Sequence, residues 1–376
     1  MKILFYFGGF APIGGIETFC KNLLCYLQNH NYDCQLVCWG PNSPLLQSIE
    51  QAKIKIVRNP WQWGCRWNLP DWLLLPLGIK QIKQSNIVLF GKLLPIEILK
   101  RLKLQIGNST KLVYITPYRP LVPTAIQEKK QLLDALNLFD LILVQASAFI
   151  EDLHQIGYQG RIEVISYISQ QPSNLKPLPP NEQLQIGFLG RLVEDKNIPL
   201  LLEAFRCFQE KYLQTYIAEN NQQQKPSLHL FGDGHLREQL EQLAEKLGIA
   251  SSVVFRGSIP NHEVEDAIAS CHLFAFTSHT EGQCLAALEI LGCGRPIVAT
   301  DVGALPDILS DSRLGKIVKS TNPNEFADNL MEIAKLIEQQ SISPEMIRSA
   351  YLEQYAPENV GDRYEKILNS LLPLSS

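Results

Sequence analysis

The chain has 376 residues, 45% hydrophobic and 19% charged, with a formal net charge of −4. That length is more than one hydrophobic core usually fills, so two domains are expected, and the composition excludes a disordered or fibrous chain. No apolar run reaches about 18 residues, so no spanning helix is expected. Nine cysteines without a Cys-x-x-Cys pair read as buried free thiols in a reducing compartment. Seven histidines show no zinc spacing, and no Asp-x-Asp occurs, so no metal is expected. Charge is uneven. Between residues 51 and 130, 14 Lys and Arg stand against three acids, a local +11 that leaves −15 for the rest. Such asymmetry suggests an anionic partner for the basic part.

In chain order, the first strand runs from Lys2 to Phe7, and Gly8-Gly9 cuts its apolar run too short for a signal peptide. A loop to Gly14-Gly15 follows, then a helix from Ile16 with Ile16, Phe19, Leu23, Leu24 and Leu27 as its buried stripe. Strand, glycine loop and helix together suit an anion, because glycines let backbone N–H groups approach it. The spacing is not G-x-G-x-x-G, so the dinucleotide fingerprint is absent. Six more strands are predicted: Cys34–Trp39, Lys53–Val57, Asn86–Phe90, Lys111–Thr116, Leu141–Gln145 and Ile162–Ile165. With helical stretches between them, they predict a doubly wound sheet. Four of the five Trp lie in WQWGCRWNLPDW, residues 61–72, amid lysines and arginines. This stretch reads either as a loop packing into its own domain or as an acceptor or membrane-interface patch. Thr116, Tyr118 and Arg119 lie at a strand's carboxyl end, where parallel sheets bind ligands.

Residues 169–181, SQQPSNLKPLPPN, read as a linker. The strand–helix pattern then restarts. Gln185–Leu189 leads into Gly190-Arg191 and Lys196, two permanent cations at a strand's carboxyl end that suit a diphosphate. Leu228–Phe231 precedes Gly232-Asp233-Gly234, and Val253–Phe255 precedes Gly257-Ser258-Ile259. ENNQQQK, residues 219–225, reads as a mobile loop. Asn322-Pro323-x-Glu325 is a helix start. A short amphipathic helix closes the chain after Pro357.

The most informative stretch is FTSHTEGQCLAALEILGCGRPIVATDVGALPD, Phe276 to Asp307. A buried strand, Leu273–Ser278, is followed by a polar turn to Gly282, a helix, a strand Pro296–Thr300 and a glycine-bearing loop. Glu281 therefore lies at the edge where ligands bind, with the next helix's free N–H groups aimed there. Glu281 and Glu289 are eight apart, about 12 Å along a helix. A glycosidase needs its carboxyls about 5–9.5 Å apart, so the pair suits two ends of an extended ligand better than acid/base work on one bond. The plainer reading is a turn residue and a solvated helix position.

Glu-x7-Glu, the Gly-Arg-Pro-Ile-Val-Ala-Thr strand and the Gly-x-x-Pro-Asp loop resemble the donor site of retaining GT-B glycosyltransferases of the family 4 (group 1) type. Gly190-Arg191-x4-Lys196 is similar to the same family's pattern, as are Gly14, Gly15 and Glu17. The resemblance implies an α/β GT-B fold, two Rossmann-like doubly wound domains facing across a cleft. Residues 1–168 would form the acceptor-side domain, joined by a C-terminal helix at about 356–376. Residues 169–183 would be the linker, and 184–355 the nucleotide-sugar donor-binding domain.

By the same resemblance, Arg191, Lys196 and Glu281 are the expected catalytic residues. Gly14, Gly15, Gly190, Gly257, Ser258, Ile259, Gly282, Gln283, Cys284, Leu285 and Glu289 are expected to bind the donor, with Glu289 on the ribose. Many relatives place a His on the acceptor side. This chain has none between His30 and His154, and Thr116, Tyr118 or Arg119 would serve instead. Gln283-Cys284 stands where the family commonly has Phe-Gly. The implied reaction is metal-independent hexose transfer with retention, from a nucleotide diphosphate sugar (UDP-hexose first, GDP-mannose next) to a saccharide, lipid-linked or small-molecule hydroxyl. The nucleotide sugar is a substrate, so no cofactor is expected. Two alternatives stand beside it: an epimerase of the same fold, or a catalytically degenerate sugar-nucleotide-binding partner subunit. The expected location is cytoplasmic, with peripheral attachment of the basic, Trp-rich first domain to an anionic membrane as a further option and no role for nucleic acid.

Overall fold

The computed structural model describes residues 1–10, 15–39, 42–58, 75–116, 118–169, 172, 175–180, 183–217 and 225–373. Gly14, the Trp-rich stretch 61–72 and residues 219–224 of the polar loop lie outside them. The chain divides into two compact units, Met1–Ser169 with Pro357–Ser376, and Gln170–Ala356.

The first unit holds β1 (Lys2–Gly9), β2 (Asp33–Trp39), β3 (Lys55–Arg58), β4 (Ile87–Phe90), β5 (Lys111–Ile115), β6 (Leu141–Val144) and β7 (Ile162–Val164). They form one sheet in the order β3-β2-β1-β4-β5-β6-β7, with every pairing parallel. Parallel strands covered on both faces need unbroken apolar runs. Ile3 to Phe7, Ile87 to Phe90 and Leu141 to Val144 supply them, all buried. Helix Gly15–Asn29 buries Phe19, Leu23, Leu24 and Leu27, while Ile16 is only half-buried and Glu17 takes the inner place beside it. The last helix, Pro357–Asn369, packs against helix Gly15–Asn29 and fully buries Val360, Tyr364 and Leu368. Tyr26 donates to Asp362 at 2.8 Å, and Arg363 to the Val164 carbonyl at 2.9 Å. Gly361 permits this contact, because a Cβ there would overlap the Tyr26 ring.

The second unit holds β8 (Gln185–Leu189), β9 (Ser227–Phe231), β10 (Val253–Gly257), β11 (Leu273–Phe276), β12 (Ile297–Thr300) and β13 (Gly315–Val318). Their order is β10-β9-β8-β11-β12-β13, again all parallel. The fold class is the expected one, α/β with two Rossmann-like doubly wound sheets. β13 was not anticipated: four residues with a glycine and a lysine carry little strand signal. Gly315 has φ +148°, and a Cβ there would overlap the Ile297 carbonyl oxygen of the neighbouring strand. The other strand ends fall within two residues of expectation, and β8 matches at both ends.

Arg295 is fully buried and makes no close ion pair among the described residues. Its guanidinium donates to five backbone carbonyls, those of Ala269, Cys271, Cys293, Lys176 and Pro177, at 2.7–3.2 Å. A buried charge is tolerable when its donors are satisfied, and the planar fork reaches several acceptors at once. Two of the five lie in the proline-rich stretch, so Arg295 ties residues 176–177 into the second unit. Among the described residues, the eight cysteines are free, and no helix is long and apolar enough to cross a membrane.

Candidate active site

In a doubly wound sheet, the crevice opens where strand order reverses, beyond the carboxyl ends of the two strands that part company. In the second unit those strands are β8 and β11. Two loops build the crevice. The first runs from Gly190 to Asn197. Leu192 is buried; its N–H donates to the Asp233 carbonyl, and its carbonyl accepts from Leu236 N–H, at 3.0 and 3.3 Å. This close stitching explains Gly232 and Gly234, where a Cβ would overlap the carbonyl oxygens of Gly190 and Leu192. A single 3₁₀ turn, Glu194–Lys196, then presents Lys196. Asn197, at φ +46°, swings the chain into helix Ile198–Tyr212.

The second loop follows β11. His279 N–H donates to the Asp195 carbonyl at 2.8 Å, and Thr277 Oγ1 to the Asn197 carbonyl at 2.9 Å, joining the two loops. At their junction Glu281 Oε1 lies 2.6 Å from Lys196 Nζ and accepts from Ser278 Oγ at 2.7 Å. The Glu281 side chain is 6% exposed and that of Lys196 20% exposed. The loop after β12 supports them from behind: Thr300 Oγ1 donates to the Ser278 carbonyl, and Ala304 N–H to the Gly282 carbonyl. Gly303, at φ +57°, is required here, because a Cβ would overlap the Glu281 carbonyl oxygen.

Lys196 and Glu281 offset each other's charge. Arg191 is exposed and has no ion-pair or hydrogen-bond partner among the described residues, so the crevice keeps an uncompensated cation. Cys284, at φ +53°, precedes helix Leu285–Gly292. Burial, reinforced by the nearby Glu281 charge, pushes its thiol pKa up. Glu281 therefore lies in the turn rather than on the helix, and the helical estimate of 12 Å between the two acids does not apply. Glu289, on the second turn, is half-buried rather than solvated, and burial raises its carboxyl to about 7.

The structure thus brings Arg191, Lys196 and Glu281 onto two adjoining loops, with Gly190 opening the first and Gly282, Gln283, Cys284 and Leu285 extending the second. Gly257, Ser258 and Ile259 stand off at the end of β10, two strands away from β8. Gly257 is held there at φ +73°, its carbonyl accepting from Gly232 N–H at 2.8 Å. In the first unit, Gly15 starts a helix and is exposed. Thr116 is buried and donates to Gln145 Oε1 at 3.1 Å. Arg119 makes a two-point ion pair with the buried Asp152, at 2.8 and 2.9 Å. Tyr118 is 72% exposed. Sequence reasoning missed Ser278 and Gly303 as supports of Glu281. A Gly-x-x-Pro-Asp loop is a visible signal for the second; nothing in Thr-Ser-His-Thr-Glu marks the first. Among the described residues, no group of three or more His, Cys, Asp or Glu is placed to hold a metal.

Residues 170–353 match the family described as "Glycosyl transferases group 1". D-inositol 3-phosphate glycosyltransferase of Corynebacterium jeikeium (strain K411) is 32% identical over 150 residues, 39% of this chain and 34% of that protein. Poly(ribitol-phosphate) alpha-N-acetylglucosaminyltransferase of Staphylococcus aureus (strain COL) is 25% identical over 191 residues, 49% of this chain and 35% of that one. The alignments thus span well under two thirds of these relatives' lengths. Among solved structures, HepE of Anabaena in complex with UDP superposes with a TM-score of 0.73 at 18% identity, covering 98% of this chain and 100% of that one.

Proposed function

We propose that this chain, whose residues 170–353 match the group 1 glycosyl transferases, moves a hexose from a nucleotide diphosphate sugar to a hydroxyl acceptor with retention and without a metal. The observation that carries this is the Lys196–Glu281–Ser278 cluster at the β8/β11 crevice, with Arg191, exposed and without a partner among the described residues, on the same loop as Lys196. In such a transfer the bond between the sugar's anomeric carbon and the β-phosphate oxygen breaks, and charge gathers on the departing diphosphate. Arg191 and Lys196 stabilise that charge. The acceptor oxygen bonds to the anomeric carbon on the same face, and its proton passes to the leaving phosphate. Such preorganised donors are commonly the largest contribution to rate, about 10²–10³-fold for a single one.

Glu281, held in place by Lys196 and Ser278, accepts from the sugar hydroxyls together with the backbone of Gly282, Gln283, Cys284 and Leu285. Glu289 accepts from the ribose, and Gly257, Ser258 and Ile259 lie along the nucleobase. The donor is UDP-hexose in first place and GDP-mannose in second; the UDP bound to the Anabaena protein supports that order. The acceptor is a saccharide, a lipid-linked sugar or a small molecule, received by the first unit beside Tyr118, with peripheral attachment to an anionic membrane.

The test is thermal unfolding with UDP, GDP, ADP and dTDP in the presence of EDTA. A nucleotide at 100 times its Kd adds about 2.7 kcal/mol, or several degrees at roughly 2–4 °C per kcal/mol. Stabilisation by UDP that is lost in Glu289→Ala is the expected result. No shift with any nucleotide would sink the reading. A shift without product for any acceptor would favour a binding subunit, to which Gln283-Cys284 in place of Phe-Gly already points.

A further inference from the structure

Helices Leu75–Lys83, Ile96–Ile106 and Ile126–Leu136 pack side by side on one face of the first unit's sheet. Between residues 75 and 136, ten Lys and Arg stand against three acids, Glu97, Glu128 and Asp134. Lys103 and Lys111 are taken up by Asp140, and Arg119 by Asp152. Lys80, Lys83, Lys100, Arg101 and Lys130 are exposed and have no ion-pair partner among the described residues. These helices and the loop after β5 also carry large apolar side chains in the open: Leu104 is 86% exposed, Leu121 85% and Ile126 87%. Leu104 shares the outward stripe of its helix with Glu97, Lys100 and Arg101, at spacings of three and four. Leu121 and Ile126 project from the loop that follows β5 and from the first residue of the next helix, flanked by Pro120 and Pro123.

Cations spread over three neighbouring helices suit a plane of negative charge better than one pocketed anion. Bare aliphatic tips among them have nothing to meet on a nucleic acid, whereas they fit the boundary between headgroups and acyl chains. We infer that this helical face, with Leu121 and Ile126 as its inserting tips, docks on an anionic lipid bilayer. The inference names the surface for the membrane attachment proposed above and rests on that reading.

The experiment is flotation of the full chain with phosphatidylcholine vesicles, with and without phosphatidylglycerol, at low and high salt. Wild type is expected to float only with the anionic vesicles. Leu121→Ser with Ile126→Ser should lower partitioning about tenfold at both salt concentrations. Lys100→Glu with Arg101→Glu should lower it at low salt and flatten the salt dependence. Failure to bind anionic vesicles at low salt overturns the inference. So does equal binding to neutral vesicles, or wild-type binding by the Leu121/Ile126 variant; the face would then be left to a protein partner. UDP-induced thermal shifts on the same preparations separate the two readings. A retained shift with no flotation removes the membrane face alone, and a lost shift removes the donor site.

Discussion

Arg119 and Arg191 occupy corresponding places, each just past the carboxyl end of a strand in a doubly wound sheet, yet their circumstances are opposite. Arg119 is held in two-point contact by the buried Asp152, so its charge is committed to the first unit's own stability. Arg191 has no partner among the described residues and stands beside a lysine that is itself balanced by Glu281. Position at a strand end does not by itself make a cation available to a ligand. What separates the two is whether the fold supplies a counter-ion.

The largest effect expected from this contrast is on turnover. Arg191→Ala should lower kcat by about 10²–10³-fold with no change in Tm, because no protein contact is lost. Arg119→Ala should do the reverse. It leaves Asp152 buried without its partner, at a cost of about 1–3 kcal/mol, read in urea unfolding, while kcat stays within a few fold. Matching losses of kcat in both variants would erase the distinction. Lys196→Ala sharpens it from the other side, since Lys196 neutralises Glu281 and, in the proposed reaction, also meets the diphosphate. A drop in kcat of about 10²-fold should come with a measurable fall in stability, and a variant that loses only one of the two would contradict the shared role.

A smaller effect is expected at Gly303. Gly303→Ala must adopt a left-handed backbone and push against the Glu281 carbonyl oxygen. About 1–3 kcal/mol of destabilisation with a raised KM for the donor should follow. Gly248→Ala, also at positive φ (+72°) but with nothing near its missing Cβ, serves as the control for strain alone. The mildest test is the pH response of Glu289. Its folded pKa, about 7, lies above the ordinary 4.5, so the folded state favours the protonated form. The stability this contributes is complete below about pH 4.5 and is lost as pH rises through 7. Glu289→Gln should flatten the corresponding part of the Tm–pH curve, and an unchanged curve would remove the group from the account.

Most strands were legible because parallel strands buried on both faces must be apolar throughout, and runs such as LILV and LFAF leave little choice. β13 was not, since Lys316 and Gly315 weaken a four-residue edge strand whose place is fixed by its neighbour. The Lys196–Glu281–Ser278 cluster was legible as residues but not as geometry. Lys196 and Glu281 are 85 positions apart, and only the pairing of β8 with β11 brings them together. Arg119 was equally visible but its pairing was not, because Asp152 lies 33 positions on, in helix Ala148–Ile156, and nothing local announces the pair. Arg295 sits in the Gly-Arg-Pro strand entry, where nothing local marks it; that five carbonyls converge on it is a property of the folded backbone alone.

The packing of helix Pro357–Asn369 on the first unit has a consequence for the chain's synthesis. The sheet of that unit is complete once β7 has been made, at residue 164, but Phe19 and its neighbours wait for Tyr364 to cover them. About 200 residues must be translated in between, some 10–40 s at ordinary elongation rates. For that interval a ribosome-bound, nearly finished domain shows an apolar groove, and chaperones that recognise such surfaces have their longest opportunity there.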